Sequence, residues 1–340
     1  MEVVALGESM VTFRPSVPGR LADVPSFDRG IGGAESNVVC GLAAAGHSTR
    51  WVSAVGADGF GDHLVEAIAA YGVDTGAVRR DPARPTGIYF RTAADRAGDD
   101  HEVAYYRAGS AASAMSATNT DLDALRSGRI LHLSGITAAL SDDCLGLLRT
   151  LVGADTDGGP LVSFDVNHRP GLWSEPADAR VLLDLARRAD LVFVGEDEAE
   201  DAFGITGGPD AIRAALPEPQ ILVVKRGADG AVAYEGTVRT EEPAPRVDVV
   251  AAVGAGDAFA AGFLSATLRA LPVADRLRHG HLWAAAALTV AGDLTAPPAR
   301  SHADRLTALD RPAWEKLHLG PGWTAKDSAD ERPAEEERTP

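Results

Sequence analysis

The segment Val253-Gly254-Ala255-Gly256-Asp257-Ala258-Phe259 follows an apolar run and opens a helix whose buried stripe takes in Phe259, Phe263 and Leu264. Glycines at such a junction let backbone N–H groups crowd around an anion at the positive end of the helix. Asp257 then sets a carboxylate beside an anion hole, although taken alone it reads equally as an N-cap, with Gly254 and Gly256 shaping a turn. A second glycine-rich turn, Gly30-Ile31-Gly32-Gly33-Ala34-Glu35-Ser36-Asn37, also enters a helix, closed by Gly46. Bare backbone at Gly32 and Gly33 admits close approach of a ligand, and the Asn37 amide offers hydroxyls both a donor and an acceptor.

Other chemistries fail on the same residues. No Gly-Lys pair occurs, which excludes a Walker A loop. Neither glycine run completes a dinucleotide fingerprint, because Gly254-x-Gly256-x-x ends at Phe259 and Gly30-x-Gly32-x-x at Glu35. Nine histidines show no helical metal-ligand spacing and nominate no Ser/His/Asp set, so His132 and His168 read as structural residues or as supports one layer behind a site.

The elements that must hold these turns follow from an alternation. Short apolar runs at Glu2–Leu6, Trp51–Val55, Ile130–Leu133, Leu161–Phe164, Leu191–Val194 and Ile221–Val224 read as strands. Helical patterns lie between them at Ser36–Ala45, Gly61–Tyr71, Ser141–Val152, Ala177–Arg188, Asp210–Leu216 and Asp257–Leu271. This rhythm predicts an α/β fold with a mostly parallel central sheet flanked by helices. Two stretches break it, approximately residues 13–29 and 85–108. The alternation in Gly87-Ile88-Tyr89-Phe90-Arg91 and Val103-Ala104-Tyr105-Tyr106-Arg107 there predicts antiparallel strands of a small inserted β lid. One domain over residues 1–319 is expected. A Pro- and Glu-rich acidic tail at 320–340 buries too little apolar surface to order itself.

With 340 residues, 45% hydrophobic, a large core is possible; the charge, 32 − 49 = −17, argues against nucleic-acid and membrane surfaces. Cys40 and Cys144 are too few for a disulfide framework, no export signal is visible, and Trp283–Ala291 falls short of the roughly 20 apolar residues of a membrane span. A soluble cytoplasmic protein is the expectation.

Gly32-Gly33-Ala34-x-x-Asn37 near the start and Gly254-Ala255-Gly256-Asp257 near the end together resemble the two signatures of the ribokinase-like (PfkB) carbohydrate kinases. Val55-Gly56-x-Asp58-x-x-Gly61, Tyr71-Gly72-Val73-Asp74, Arg84-Pro85-Thr86-Gly87 and Lys225-x-Gly227-x-x-Gly230 match in order between them, so the resemblance spans Val3 to Ala291. Within that family, Tyr105-Tyr106-Arg107, His132-Leu133-Ser134-Gly135 and Asp165-Val166-Asn167-His168-Arg169-Pro170 are similar to 2-keto-3-deoxygluconate kinases. Arginine forks suit the carboxylate of such a sugar acid.

The resemblance implies ATP-dependent phosphorylation of the terminal C6 hydroxyl of 2-keto-3-deoxygluconate. Asp257 is then the base, of pKa depressed by the helix N-terminus, with the Gly254, Ala255 and Gly256 amides as anion hole. Gly32, Gly33, Asn37, Tyr89, Tyr105, Arg107 and Arg169 would orient the sugar acid. Lys225 and Gly227, with Gly254 and Gly256, would face ATP; Lys225 reads also as a solvent-exposed strand end. Magnesium would be met through water by Glu198, in a segment, Gly195-Glu196-Asp197-Glu198, that keeps only the Glu of the family's pattern and reads also as a surface acidic cluster. Ala251 and Ala252 replace an Asp and a Thr of the family's monovalent-cation site, which leaves potassium (K+) activation open. The lid strands offer edges for a homo-oligomer. A kinase of a neutral sugar such as fructose, or a non-catalytic sugar-acid sensor, are the alternatives.

Overall fold

A computed structural model describes residues 1–92, 102–153, 158–292 and 294–328. In chain order the strands of its two larger sheets are β1 (Val3–Leu6), β2 (Met10–Pro15), β3 (Phe27–Gly32), β4 (Thr49–Gly56), β5 (Val78–Asp81), β6 (Ile88–Arg91), β7 (Val103–Tyr106), β8 (Ile130–Ser134), β9 (Leu161–Asp165), β10 (Leu191–Gly195), β11 (Ile221–Lys225), β12 (Ala231–Glu235) and β13 (Val238–Glu242). Nine of these form one sheet in the order β13-β12-β11-β10-β9-β8-β1-β4-β5. It is parallel from β11 to β5 and carries an antiparallel hairpin, β12–β13, at one edge.

All six strands expected from the apolar runs lie in this sheet. Their unbroken hydrophobicity has a direct cause: β8 and β10 are buried along their whole length, with a core on each face. One core gathers Leu131, Phe164 and Val192, the other Trp51, Phe193 and Phe263. β1 pairs with both β4 and β8, so the strand order reverses there, and a crevice opens at the carboxyl ends of the strands.

The lid is a separate four-stranded sheet, β3-β2-β6-β7, with antiparallel β2–β3 and β6–β7 pairs joined by a parallel β2–β6 pair. Phe90 stacks on Phe13 at 4.9 Å and meets the edge of Phe27 at 5.1 Å, an aromatic cluster that ties the two lid segments together. The strands begin earlier and end later than the expected 13–29 segment, so that Gly32 ends the lid and Gly33 starts the Ala34–Ala44 helix. Residues 93–101 of the second segment lie outside the described residues.

The chain end differs from its expectation. Trp323, 3% exposed, packs with Trp314 and Leu319 in a third hydrophobic cluster, so the packed body runs past residue 320. An aromatic ring hidden in a polar, Pro-rich stretch outweighs its composition. Residues 329–340 of the expected tail lie outside the described residues. No helix among the described residues is long and apolar enough to cross a membrane.

Candidate active site

The two glycine-rich turns come together because two helices pack on small residues. A Cβ on Gly41 would stand 3.6 Å from the Ala261 Cβ and 3.4 Å from the Trp283 ring, so the Ala34–Ala44 and Ala255–Leu268 helices approach closely. Asn37 lies one turn before Gly41 and Asp257 one turn before Ala261, on the same faces. Asn37 Nδ2 accordingly donates to Asp257 Oδ2 at 2.8 Å across 220 residues of sequence.

Asp257 is not the N-cap of its helix. Gly254 holds that position at φ 77°, a left-handed conformation open to glycine, and no side chain caps the helix. The first-turn amides of Ala255, Gly256 and Asp257 therefore face outward, uncapped, as an anion site requires.

These groups border a cleft of about 500 Å³ between the sheet and the lid. Asp257, Gly254, Gly32, Gly33, Asn37, Tyr89, Tyr105, Arg107 and Arg169 all line it, which unites the expected sugar-binding residues and the base. A larger hollow of about 860 Å³ opens between the lid and the helix beginning at Gly59; it shares Tyr105 and Arg107 with the cleft but lacks Asp257. Gly33 turns out to serve packing as well as approach: a Cβ there would lie 2.5 Å from the Glu8 carbonyl oxygen.

Lys225, Gly227 and Glu198 do not line the cleft. Lys225 is no solvent-exposed strand end: its Nζ donates to Asp165 Oδ1 at 3.1 Å and Oδ2 at 3.0 Å, with Glu198 Oε2 at 3.9 Å. Burial alone would lower the Lys225 pKa, yet the Asp165, Glu198 and Asp257 carboxylates hold it above the ordinary lysine value. A Cβ on Gly256 would lie 3.8 Å from this ammonium, which places Lys225 beside the uncapped helix end. Glu198 is not part of a surface acidic cluster. It accepts from the Gly195 N–H at 2.6 Å and is only 13% exposed, and burial raises its pKa. Gly227, at φ 55°, has open space for 4 Å around the point where a Cβ would stand, so bare backbone faces outward there.

The depressed pKa expected for Asp257 is overturned. Burial pushes its carboxyl up to about 7; the Asn37 hydrogen bond pulls the other way, Asp165 adds to the rise, and Arg169 and Lys225 oppose it. Partial enclosure of the carboxyl in the cleft wall outweighs the helix end, whose effect is confined to a fraction of a charge.

Three acidic residues escape sequence reasoning. Glu8 accepts from Arg107 Nε at 2.7 Å and Nη2 at 2.5 Å and from Ser110 Oγ at 2.5 Å, its side chain 1% exposed. It engages the Nε and Nη2 edge of the Arg107 fork. Asp165, 3% exposed, holds Lys225 and also accepts from the Asn167 N–H at 3.1 Å; Asn167 adopts φ 40°, which turns the chain so that Arg169 reaches the cleft. Glu35 is fully buried, bound by Ser134 Oγ at 2.7 Å and Thr137 Oγ1 at 2.9 Å. Only the Tyr-Arg and Asp-x-Asn-x-Arg contexts hint at the first two. His132, bonded to Ser163 Oγ at 3.0 Å and 1% exposed, is structural as expected.

A family model for the pfkB family carbohydrate kinases matches residues 1–300. A 2-dehydro-3-deoxygluconokinase of Bacillus subtilis (strain 168) is 33% identical over 321 residues, covering 93% of this chain and 98% of that protein. A probable chloroplastic fructokinase-6 of Arabidopsis thaliana is 32% identical, covering 85% of this chain and 77% of that protein. Among solved structures, a PfkB protein from Polaromonas sp. JS666 superposes with a TM-score of 0.79 at 34% identity, covering 89% of this chain and 99% of that one. With both signature turns meeting at Asp257 on a ribokinase-like α/β fold, the chain belongs to the pfkB family of carbohydrate kinases and is an ATP-binding sugar kinase.

Proposed function

We propose that this kinase phosphorylates the terminal C6 hydroxyl of 2-keto-3-deoxygluconate to give 2-keto-3-deoxy-6-phosphogluconate. One observation carries the reading: Asp257, Arg107 and Arg169 converge on a single cleft, a base and two guanidinium groups for a hydroxy acid. The similarity to the Bacillus subtilis 2-dehydro-3-deoxygluconokinase supports it.

The chemistry is positioning and charge stabilisation. The sugar hydroxyl oxygen forms a bond to the γ-phosphorus of ATP while the bond from that phosphorus to the bridging oxygen breaks and ADP leaves. The hydroxyl proton passes to Asp257, whose carboxyl, raised to about 7, is matched to neutral pH. Developing negative charge falls to the amides of Gly254, Ala255, Gly256 and Asp257 and to Lys225. Magnesium, when bound with the nucleotide, would neutralise phosphate charge; with both Asp165 oxygens facing Lys225, Glu198 is the carboxylate that would meet it through water.

A neutral-sugar kinase is the second reading, favoured by Glu8, which cancels the Arg107 charge, and by the fructokinase relatives. Magnesium-dependent ADP release is measured with 2-keto-3-deoxygluconate, its C4 epimer, fructose and ribose, with Asp257→Asn as control. Preference for the keto-deoxy acids, abolished by the substitution, supports the proposal. Preference for fructose replaces the substrate, and binding without turnover points to the sensor. The lid edge β7, with Tyr106 64% exposed, further supports pairing of two copies, which sedimentation tests directly.

A further inference from the structure

We propose that Asn37 is a positioning residue for Asp257, fixing which carboxylate oxygen meets the substrate hydroxyl and holding that carboxylate in its charged form. The inference rests on the reading of Asp257 as the base and adds to it a residue expected only to touch the sugar.

Asn37 is 9% exposed and stands at the wall of the cleft. Its Nδ2 donates to Asp257 Oδ2 at 2.8 Å, while its Oδ1 is enclosed with no partner among the described residues. An amide that spends one donor on a neighbouring carboxylate, across a contact set by the packing of two helices, is arranged to hold that carboxylate. The helix contact through Gly41, Ala261 and Trp283 sets the distance, so the pair is built by the fold rather than by a flexible side chain.

The consequences are chemical. With Oδ2 engaged, Oδ1 of Asp257 is the oxygen left to take the proton. An amide donates to a carboxylate but cannot itself accept the proton, and such donation favours the charged state. Burial pushes Asp257 toward neutrality, and Asn37 is foremost among the groups opposing it. The other charges facing Asp257 are Asp165 at the end of β9, which opposes ionisation, and Arg169 and Lys225, which favour it; Glu198 lies behind Lys225.

The test is the pH dependence of kcat for Asn37→Ala with the preferred sugar, beside Asp257→Asn. Loss of one charge-assisted hydrogen bond is expected to move the acid limb up by about one pH unit. Near pH 7 kcat then falls on the order of tenfold, and it recovers toward the parent value above pH 9. An acid limb that stays in place while KM alone rises would overturn the proposal and return Asn37 to sugar binding. Should Asn37→Ala fail to fold, Asn37→Asp keeps the shape and sets a second carboxylate against Asp257, so its acid limb must move up further. An unmoved limb in that variant also refutes the role. If Asp257→Asn remains active, the base assignment itself falls and this inference with it; inactive Asp257→Asn with an unshifted Asn37→Ala removes this inference alone.

Discussion

Two ion pairs bracket the cleft, one at the lid and one at the sheet, and they are built alike. Arg107 meets Glu8 through two nitrogens, and Lys225 meets Asp165 through both carboxylate oxygens, each carboxylate being at most 4% exposed. Each pair is electrically near neutral, yet they act on different things. Lys225 and Asp165 both bear on the Asp257 carboxyl, whereas Arg107 bears on buried Glu35 at the switch point of the sheet. The planar Arg107 fork is held by Glu8, which also accepts from Ser110 Oγ, so its orientation at the lid is fixed. The Lys225 point charge lies beside Gly256 at the uncapped helix end, where the proposed mechanism sets the phosphoryl group. Under the proposed function, similar pairing would serve shape in one place and reaction electrostatics in the other.

Removing one partner at the lid gives the largest expected effect. Arg107→Ala strands the Glu8 carboxylate and is expected to lower unfolding free energy by about 3–5 kcal/mol. Urea denaturation measures it, and pairing the change with Glu8→Gln is expected to recover most of the loss. This makes Arg107→Ala a poor probe of substrate charge, because stability and affinity fall together. A loss under about 1 kcal/mol would rank the pair with exposed salt bridges and collapse the comparison.

At the sheet the corresponding break should register in turnover. The double variant Asp165→Asn/Lys225→Met removes both charges at once, so it is expected to fold with kcat reduced about 10²- to 10³-fold, the scale for losing one transition-state donor. Retained kcat in the folded double variant would make Lys225 structural and erase the contrast with Arg107.

The difference between the pairs also explains what is legible in the sequence. Parallel strands announce themselves because burial on both faces demands apolar runs. The β12–β13 hairpin escapes that reading although Val232 and Tyr234 alternate with smaller residues before Gly236, and β5, Val78-Arg79-Arg80-Asp81, carries too much charge to read as a strand. Asp257, Gly254 and Asn37 stand out because glycine spacing is local. Glu8 and Asp165 do not, since their partners lie 99 and 60 residues away and a lone acidic residue in sequence is indistinguishable from a solvated one. The Asp257 pKa takes the wrong sign from sequence for the same reason: the helix end is local, and burial is tertiary.

Arg169 sharpens the substrate question because it stands outside both pairs. Its side chain is 53% exposed with Glu198 no nearer than 3.7 Å, so Arg169→Ala is expected to change stability by less than about 0.5 kcal/mol. Affinity for the sugar acid should fall on the order of tenfold, the worth of a hydrogen bond between charged groups, with fructose unaffected. An equal effect on both sugars would assign Arg169 to phosphate rather than to the acid end.

A last expected effect, read by its sign, tests burial against the helix end at Asp257 itself. Its folded pKa, about 7, lies above the ordinary 3.8, so the folded state keeps a proton that the unfolded chain has released. The stability this contributes is complete below about pH 3.8 and is lost progressively as the pH rises toward 7. Asp257→Asn has no such loss, because the amide stays neutral throughout. The variant should therefore gain on the parent between pH 5 and pH 8 in urea midpoint, with nearly all of the gain complete once the folded carboxyl has ionised. Had the helix N-terminus dominated, the folded pKa would lie below 3.8 and the parent would draw its advantage from the charged form, leaving the variant behind at both pH values. The sign of that change, more than its size, decides whether Asp257 waits in the cleft as a base matched to neutral pH or as a carboxylate too acidic to hold a proton.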